Sequence, residues 1–524
     1  MISSGCPPYS NYEYELASRS SLDSEGTFNL DDDDFESQVP PSSRFGRHRA
    51  SWLSRLFSSL PGYTRVKTNH RPIFARQSRR TYLRRCTPRR RFCYIHVVFL
   101  IISALVVLTS IFRPSYTHPP AHYNDLQKST QKSTAPGRGN PHEQKVFIAA
   151  SLYDRDGELA RGQWGAQLIQ LIEYLGAGNV YVSIYENDSG EEGHAALREL
   201  EQRILSDKSI VFEEHLDLKT IPTVTIPGGE NRVKRIEYLA QVRNKALKPL
   251  TENPDIRYDK ILYLNDILFD PVDALQLLFS TNIDEHGFAQ YRAACAVDFD
   301  NPFKFYDTYA TRDLQGYSMG LPFFPWFSNA GNGDSRNDVL QGKDAVRVRS
   351  CWGGMVAFDA KFFQPSPSSP EVTPVRFRSG PDLFWEASEC CLIHADIQDP
   401  QTDVEAITDT GVYMNPYVRV AYDARTLRWL GLTRRFERLY SHIHNIGNHL
   451  VGLPWYNPRR DEGVGQSVQE TVWVSDANVE GGGSFQVVDR TAGNDGYCGR
   501  RGLQVIVEER QPGQKGYESI PVPS

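Results

Sequence analysis

Two neighbouring runs carry the residues best suited to chemistry. Arg243-Asn244 lies in the helix-like Leu239-Ala-Gln-Val-Arg-Asn-Lys-Ala-Leu247, and the apolar run Lys260-Ile-Leu-Tyr-Leu264 ends in Asn265-Asp266. The planar fork of an arginine matches phosphate oxygens, and an aspartate at a strand end can hold a hard divalent cation that bridges phosphates. Each piece alone is ordinary, since a helix-surface arginine is usually just solvated. The order helix with Arg-Asn, apolar strand, acidic tip is more specific. Upstream, Val180-Tyr-Val-Ser-Ile-Tyr185 runs into Glu186-Asn187-Asp188-Ser189-Gly190. Such residues make turns, and they also accept hydrogen bonds from a base or ribose. Downstream, Asp298-Phe299-Asp300 offers paired carboxylates for sugar hydroxyls or for the same cation. Trp352-Gly353-Gly354-Met355 reads as a bulge or tight turn. Glu386 and Glu389 follow, and His394, His442 and His444 are possible further ligands beside carboxylates.

The elements that would position these residues follow from apolar periodicity. Lys145-Val-Phe-Ile-Ala-Ala150 reads as a buried strand. Trp164, Leu168, Leu171, Ile172 and Leu175 repeat at helical spacing until Gly176. The strand at 180–185 follows, then a helix over Ala195–Leu205, a short strand at 210–212, a helix over Val233–Leu250, the strand at 260–264, a helix over Val272–Phe279 and a strand within 288–297. Alternating strands and helices predict an α/β fold with a mainly parallel sheet covered by helices. Ligands in such sheets sit beyond the carboxyl ends of the strands.

The formal net charge of −6 conceals a segregated N-terminus. Residues 1–40 are acidic, with Arg19 as their one base, whereas residues 41–91 contain no acid and many arginines. Blocks of one sign rarely fold alone. Trp52, Leu53, Leu56, Phe57 and Leu60 could lay one apolar face of this tail on an anionic membrane surface. Phe92–Phe112 contains no Asp, Glu, Lys or Arg. As a helix it would be about 31 Å long, enough to span a bilayer. Basic flanks stay cytosolic, which predicts a single-pass type II membrane protein with its C-terminal part in the lumen of the Golgi or ER. The boundaries expected are a cytosolic tail at 1–91, a span at 92–112, a flexible stem at 113–143, a folded domain at 144–456 and an unassigned extension at 457–524. The arginines beside the span have anionic lipid as their simpler partner, and no nucleic-acid binding is indicated.

The motifs together resemble the GT-A class of nucleotide-sugar glycosyltransferases. Within that class they are most similar to the fungal cryptococcal-type α-1,3-mannosyltransferases, a capsule-associated family of type II membrane enzymes. The resemblance is carried by Ala149-Ala-Ser-Leu-Tyr-Asp154, Ile184–Gly190, Leu239–Asn244, Tyr263-Leu-Asn-Asp266, Cys295-Ala-Val-Asp-Phe-Asp-Asn-Pro302, Cys351-Trp-Gly-Gly-Met355 and Ser388-Glu-Cys-Cys-Leu392. It spans roughly residues 145–450 and implies a GDP-mannose donor, a mannose-containing glycan acceptor, retention of configuration and Mn²⁺ or Mg²⁺. The residue roles it implies are catalysis by Arg243, Asp266 and Glu389, with Glu389 facing the acceptor. Glu186, Asp188, Arg243, Asn244 and Asn265 would bind the donor. Asp298, Asp300, Trp352, Gly353 and Gly354 would bind the acceptor. Asp266, with His394, would hold the metal. The family's usual Asp-x-Asp is Asn265-Asp266-Ile267 here, and a literal Asp-x-Asp stands instead at 298–300. The metal is therefore expected on Asp266, with Asp298 and Asp300 as the alternative.

Five of the eight cysteines follow the apolar segment, at 295, 351, 390, 391 and 498, where disulfides can form. The odd number leaves at least one thiol free or paired with another chain. Asn187-Asp188-Ser189 is the one Asn-x-Ser/Thr sequon. It is expected to be unglycosylated if it lines the donor site. Two non-enzymatic functions also fit the sequence, a scaffold in polysaccharide synthesis and a lumenal glycan-binding protein, since fold does not fix activity.

Overall fold

The structure, a computed structural model, describes residues 88–366, 371–476, 479, 481–508 and 515–523. The tail read as residues 1–91 lies almost wholly outside the described residues. The described residues divide into two units, one ending at Ile102 and the other beginning at Ser103. The described part of the former is the start of α1 (Pro88–Phe112). The stretch Phe92–Phe112 is the one described helix long and apolar enough to cross a membrane, and it is unburied. Its exposed Phe99, Leu100 and Ile101 are unlike the side chains of a core helix.

The larger unit is built on a ten-stranded mixed sheet. In chain order its principal strands are β1 (Val146–Leu152), β2 (Val180–Asn187), β3 (Asp207–Glu213), β4 (Lys260–Leu264), β5 (Ala293–Asn301), β6 (Val346–Ser350), β7 (Met355–Asp359) and β8 (Val412–Ala421). Their order across the sheet is β3-β2-β1-β4-β7-β5-β8-β6, with the short Arg312–Asp313 strand at the edge. The strands from β3 to β4 are mutually parallel. β7 runs antiparallel between β4 and β5. β8 is parallel to β5.

The central strands are buried on both faces, as their continuous apolar runs require. Side chains alternate with period two. Ile261 and Tyr263 of β4 enter one core, and Leu262 and Leu264 enter the other. The second core is closed by α3 (Gln163–Leu175), α4 (Gly190–Arg203) and α6 (Pro271–Phe279). The first is closed by α5 (Arg235–Leu247) and α7 (Glu389–Ile397). In α3 the five residues at helical spacing, Trp164 to Leu175, are all buried.

Two stretches differ from the sequence reading. Residues 113–143, expected to be a flexible stem, contain α2 (Ala121–Lys132), which buries Tyr123, Leu126 and Thr130. Asn415 Nδ2 donates to the Tyr123 hydroxyl at 2.7 Å, and Gln276 Nε2 donates to the Tyr123 carbonyl at 2.9 Å. With only two buried apolar side chains, this helix is held by polar contacts that leave no periodic signal. Residues beyond 457 are stitched to the larger unit. Cys498 is disulfide-bonded to Cys391 on α7, and Gly499–Arg501 pairs with Trp385–Ala387. A second disulfide joins Cys295 on β5 to Cys351, and Cys390 is a buried free thiol.

Candidate active site

Strand order turns around between β1 and β4, so the loops after β1, β2 and β4 flank one crevice at the carboxyl ends. After β1, Asp154 is committed to backbone. Its carboxylate accepts from the Leu159 and Ala160 amides at 3.0 and 2.9 Å, and its own amide donates to Ser189 Oγ at 2.8 Å. This ties the first loop to the second. At the end of β2, Glu186 is buried with Oε1 lacking a hydrogen-bond partner. Burial pushes its pKa up to about 7, the Ser189 hydroxyl opposes the shift, and the Asp154 charge adds to it. Asn187 is fully buried, its Nδ2 donates to Tyr238 Oη at 2.9 Å, and its Oδ1 is also without a partner. Asp188 adopts a left-handed φ of 64° and contacts His215 Nδ1 at 2.7 Å. The sequon nitrogen is thus inside the fold, where an attached glycan has no room.

The helix Arg-Asn pair sits elsewhere than the sequence reading places it. Arg243 is buried on α5, with Nε donating to Glu389 Oε1 at 2.9 Å and Nη1 to Asn265 Oδ1 at 3.3 Å. Its guanidinium lies over Trp352, 4.5 Å from the ring centroid. Nη2 has no partner. Asn244 turns away from the crevice and holds the backbone of Phe377, donating to its carbonyl at 2.8 Å and accepting from its amide at 2.9 Å. Glu389, expected to face an acceptor, is the counter-ion of Arg243. It borders a cavity of about 20 Å³ with Arg235, Asp307, Tyr309, Trp352 and Cys390. That is space for a single water, far below the roughly 300–1,000 Å³ of a ligand pocket. A buried guanidinium needs a buried carboxylate to offset its desolvation. That requirement draws Glu389 inward.

Asn265 is locked between elements. Its amide donates to Gly354 O at 2.9 Å, its carbonyl accepts from Trp164 Nε1 at 2.9 Å, and its Oδ1 also accepts from Trp352 Nε1 at 3.2 Å. The next residue, Asp266, is left half-buried at the tip of the central strand. Gly353 and Gly354 both have left-handed φ, 58° and 67°. A Cβ on Gly353 would stand 2.0 Å from Ala296 O, and one on Gly354 would stand 2.7 Å from Ile267 Cγ2. The glycines therefore admit β5 and the Asp266–Ile267 loop, which is a packing role.

Below this turn lies a carboxylate pair that the sequence reading half-missed. Asp298 Oδ2 accepts from Tyr422 Oη at 2.9 Å and Oδ1 from the Asp307 amide at 3.1 Å. Asp307 accepts from Ala310 N at 3.0 Å and from Gly353 N at 3.4 Å. Burial, with each carboxyl beside the other, raises the pKa of Asp298. Asp307 and Tyr422 belong to no motif, so nothing local marked them. Asp300 is half-buried, 3.4 Å from Lys304 Nζ.

His394 does not serve as a second ligand. Its Nδ1 is bonded to Cys390 O at 2.7 Å, and its Nε2 faces Cys295 Sγ at 3.8 Å, a sulfur already in a disulfide. Burial lowers its pKa to about 4, so it is a neutral core histidine. His444 is likewise engaged, with Arg336 Nη1 at 3.0 Å and Leu321 O at 2.8 Å. A hard cation wants carboxylate oxygens. The oxygens of Asp298 are taken by protein donors, and Asp300 has an ammonium beside it. Asp266 stands half-buried just beyond the end of β4, where the sequence places the expected ion.

A mostly parallel sheet covered by helices, with its acidic and amide residues gathered at the carboxyl ends of the central strands, is the architecture expected of a GT-A-like fold. Residues 145–396 match the family described as cryptococcal mannosyltransferase 1. No curated protein matches the chain by sequence. Among solved structures it is similar to a mannosyltransferase from Pyrobaculum calidifontis in complex with GDP-Man and Mn²⁺, at 11% identity over 69% of this chain and 76% of that one, with a TM-score of 0.30. It is also similar to glucosyl-3-phosphoglycerate synthase from Mycobacterium tuberculosis with Mn²⁺, UDP and phosphoglyceric acid, at 10% identity over 72% and 96%, with a TM-score of 0.26.

Proposed function

We propose that the chain transfers mannose from GDP-mannose to a mannose-containing glycan, with retention and in an α-1,3 linkage. We read it as a type II membrane enzyme whose catalytic unit lies in the Golgi or ER lumen. The observation that carries the reading is the family match over residues 145–396, whose central strand ends in the half-buried Asp266. Asp266 is the residue assigned to a Mn²⁺ or Mg²⁺ ion. When bound, such an ion offsets the negative charge gathering on the departing diphosphate. Asn265 keeps the strand tip in place through its bonds to Gly354, Trp164 and Trp352. Glu186 and Asn187 each hold an acceptor oxygen without a donor among the described residues, a cost that donor groups of a nucleoside would offset. Arg243 and Glu389 act from beneath as positioning residues, since their pair fixes Asn265. Asp300 is the acceptor-side carboxylate. The burial of Arg243 and Glu389 also suits a second reading, an inactive scaffold, which turnover separates from the first.

The assignment of the ion is tested by GDP binding to the full chain with and without Mn²⁺. Asp266→Ala should abolish the Mn²⁺-dependent part of binding, and Asp300→Ala should keep it. The reverse pattern moves the ion to the Asp298-Phe299-Asp300 segment.

A further inference from the structure

Helix α9 (Ser441–Val451) is built inside out. Its polar His444 and Asn448 point inward, where Asn448 Oδ1 accepts from Leu321 N at 2.7 Å and His444 Nε2 lies 2.8 Å from Leu321 O. Its apolar Ile443, Ile446 and Leu450 point outward and are 66%, 63% and 76% exposed. These three are spaced i, i+3 and i+7, so they form one stripe. Trp455 and Tyr456 follow it and are exposed as well, and the preceding helix α8 (Ala424–Thr433) exposes Trp429 and Leu432. An apolar face of this kind on a folded domain marks a surface that something covers.

Two features identify the cover. The first is where the chain arrives from α1. Ser115 N donates to Arg434 O at 2.9 Å, and Arg434 Nη1 donates to Tyr116 O at 3.1 Å. Arg434 is the residue that follows α8. Ser115 lies three positions beyond Phe112, a reach of about 10 Å. The end of the apolar helix is therefore held against the start of the α8–α9 connection. The second is charge. Arg425, Arg428 and Arg435 are exposed along this segment and outnumber its exposed acid, Asp423, whereas Glu437 is buried in a pair with Arg419. Exposed Trp and aliphatic side chains with arginines around them suit the lipid headgroup boundary.

We infer that the α8–α9 face is a membrane-docking surface, which rests Ile443, Ile446 and Leu450 in the bilayer interface beside the point where the chain leaves the membrane. The inference depends on Phe92–Phe112 being a membrane span. Docking would hold the catalytic unit at the bilayer surface instead of leaving it on a free tether.

The test reconstitutes the full chain in phosphatidylcholine–phosphatidylserine vesicles that carry a phospholipid with a photoactivatable acyl chain. Adducts are then mapped by mass spectrometry. Lipid adducts are expected both on 92–112 and on 441–456. The triple variant Ile443→Ser, Ile446→Ser, Leu450→Ser should keep the adducts on 92–112, lose those on 441–456 and unfold at the wild-type temperature. Ile446→Ser alone, read the same way, serves if the triple variant does not fold. Wild-type adducts confined to 92–112 would overturn the docking surface while leaving the span intact. Cross-links between copies at α9 in place of lipid would assign the face to a second chain and overturn it equally. Absence of adducts on 92–112 would remove the span, and the inference with it.

Discussion

Glu186 holds the most informative titration in the crevice. Its folded-state pKa of about 7, against an ordinary 4.5, arises first from burial. The folded protein therefore binds this proton more tightly than the unfolded chain. The resulting stability is complete below about pH 4.5 and is lost as pH rises through about 7. The difference is worth about 3 kcal/mol at most. Glu186→Gln cannot ionise, so it should melt above wild type at pH 8 and close to it at pH 5. Parallel pH profiles for the two proteins would mean that Glu186 is ionised in the fold. Arg243 makes a different kind of prediction. Arg243→Ala strands the Glu389 carboxylate in the core, which should cost about 3–5 kcal/mol in denaturant unfolding. Arg243→Met combined with Glu389→Leu should recover most of that loss. If the double variant is no more stable than Arg243→Ala, the pair does more than neutralise itself.

At the scale of elements, the Gly353–Gly354 turn is the junction on which the crevice depends, because it contacts Asn265 on one side and Asp307 on the other. Gly353→Ala sets a Cβ against a backbone oxygen at 2.0 Å in a left-handed conformation. It should destabilise by at least about 2 kcal/mol. Gly354→Ala meets only a side-chain methyl at 2.7 Å and should cost less, which thermal unfolding of the two variants compares. The elements themselves were largely legible. The strand at 260–264, the helix near 272–279 and the strands beginning at 180 and near 146 follow from apolar runs and their breakers, and they appear where expected. What could not be read is pairing between distant segments. Nothing local marks β7 as the antiparallel strand between β4 and β5, and nothing in Arg243-Asn244 announces a counter-ion 146 residues away. A helix-surface arginine and a core arginine look alike in sequence, and the difference is decided by Glu389, Trp352 and Phe377. Asp298 and Asp300 also look equivalent. One is buried and bonded to Tyr422 while the other sits by Lys304, where β5 shifts register against the short 304–305 strand between Phe299 and Asn301.

Across the whole molecule, the two disulfides among the described residues, the apolar α1 and the family match are compatible with the proposed reading of a transferase held at a membrane. Cys391–Cys498 also joins the C-terminal residues to α7, so the stretch after 457 belongs to the architecture around the site and is no loose appendage. Mannosyl transfer at the carboxyl ends of β1 and β4 is tested by incubating the full chain in vesicles with GDP-mannose, a mannoside acceptor and Mn²⁺ and measuring product and GDP. Mannosylated product is expected, with loss of turnover in EDTA, recovery on added Mn²⁺, and a fall of at least ~10²-fold for an Asp266→Ala variant that melts like wild type. A folded wild-type chain that binds GDP without forming product, or an Asp266→Ala variant with undiminished turnover, would contradict it.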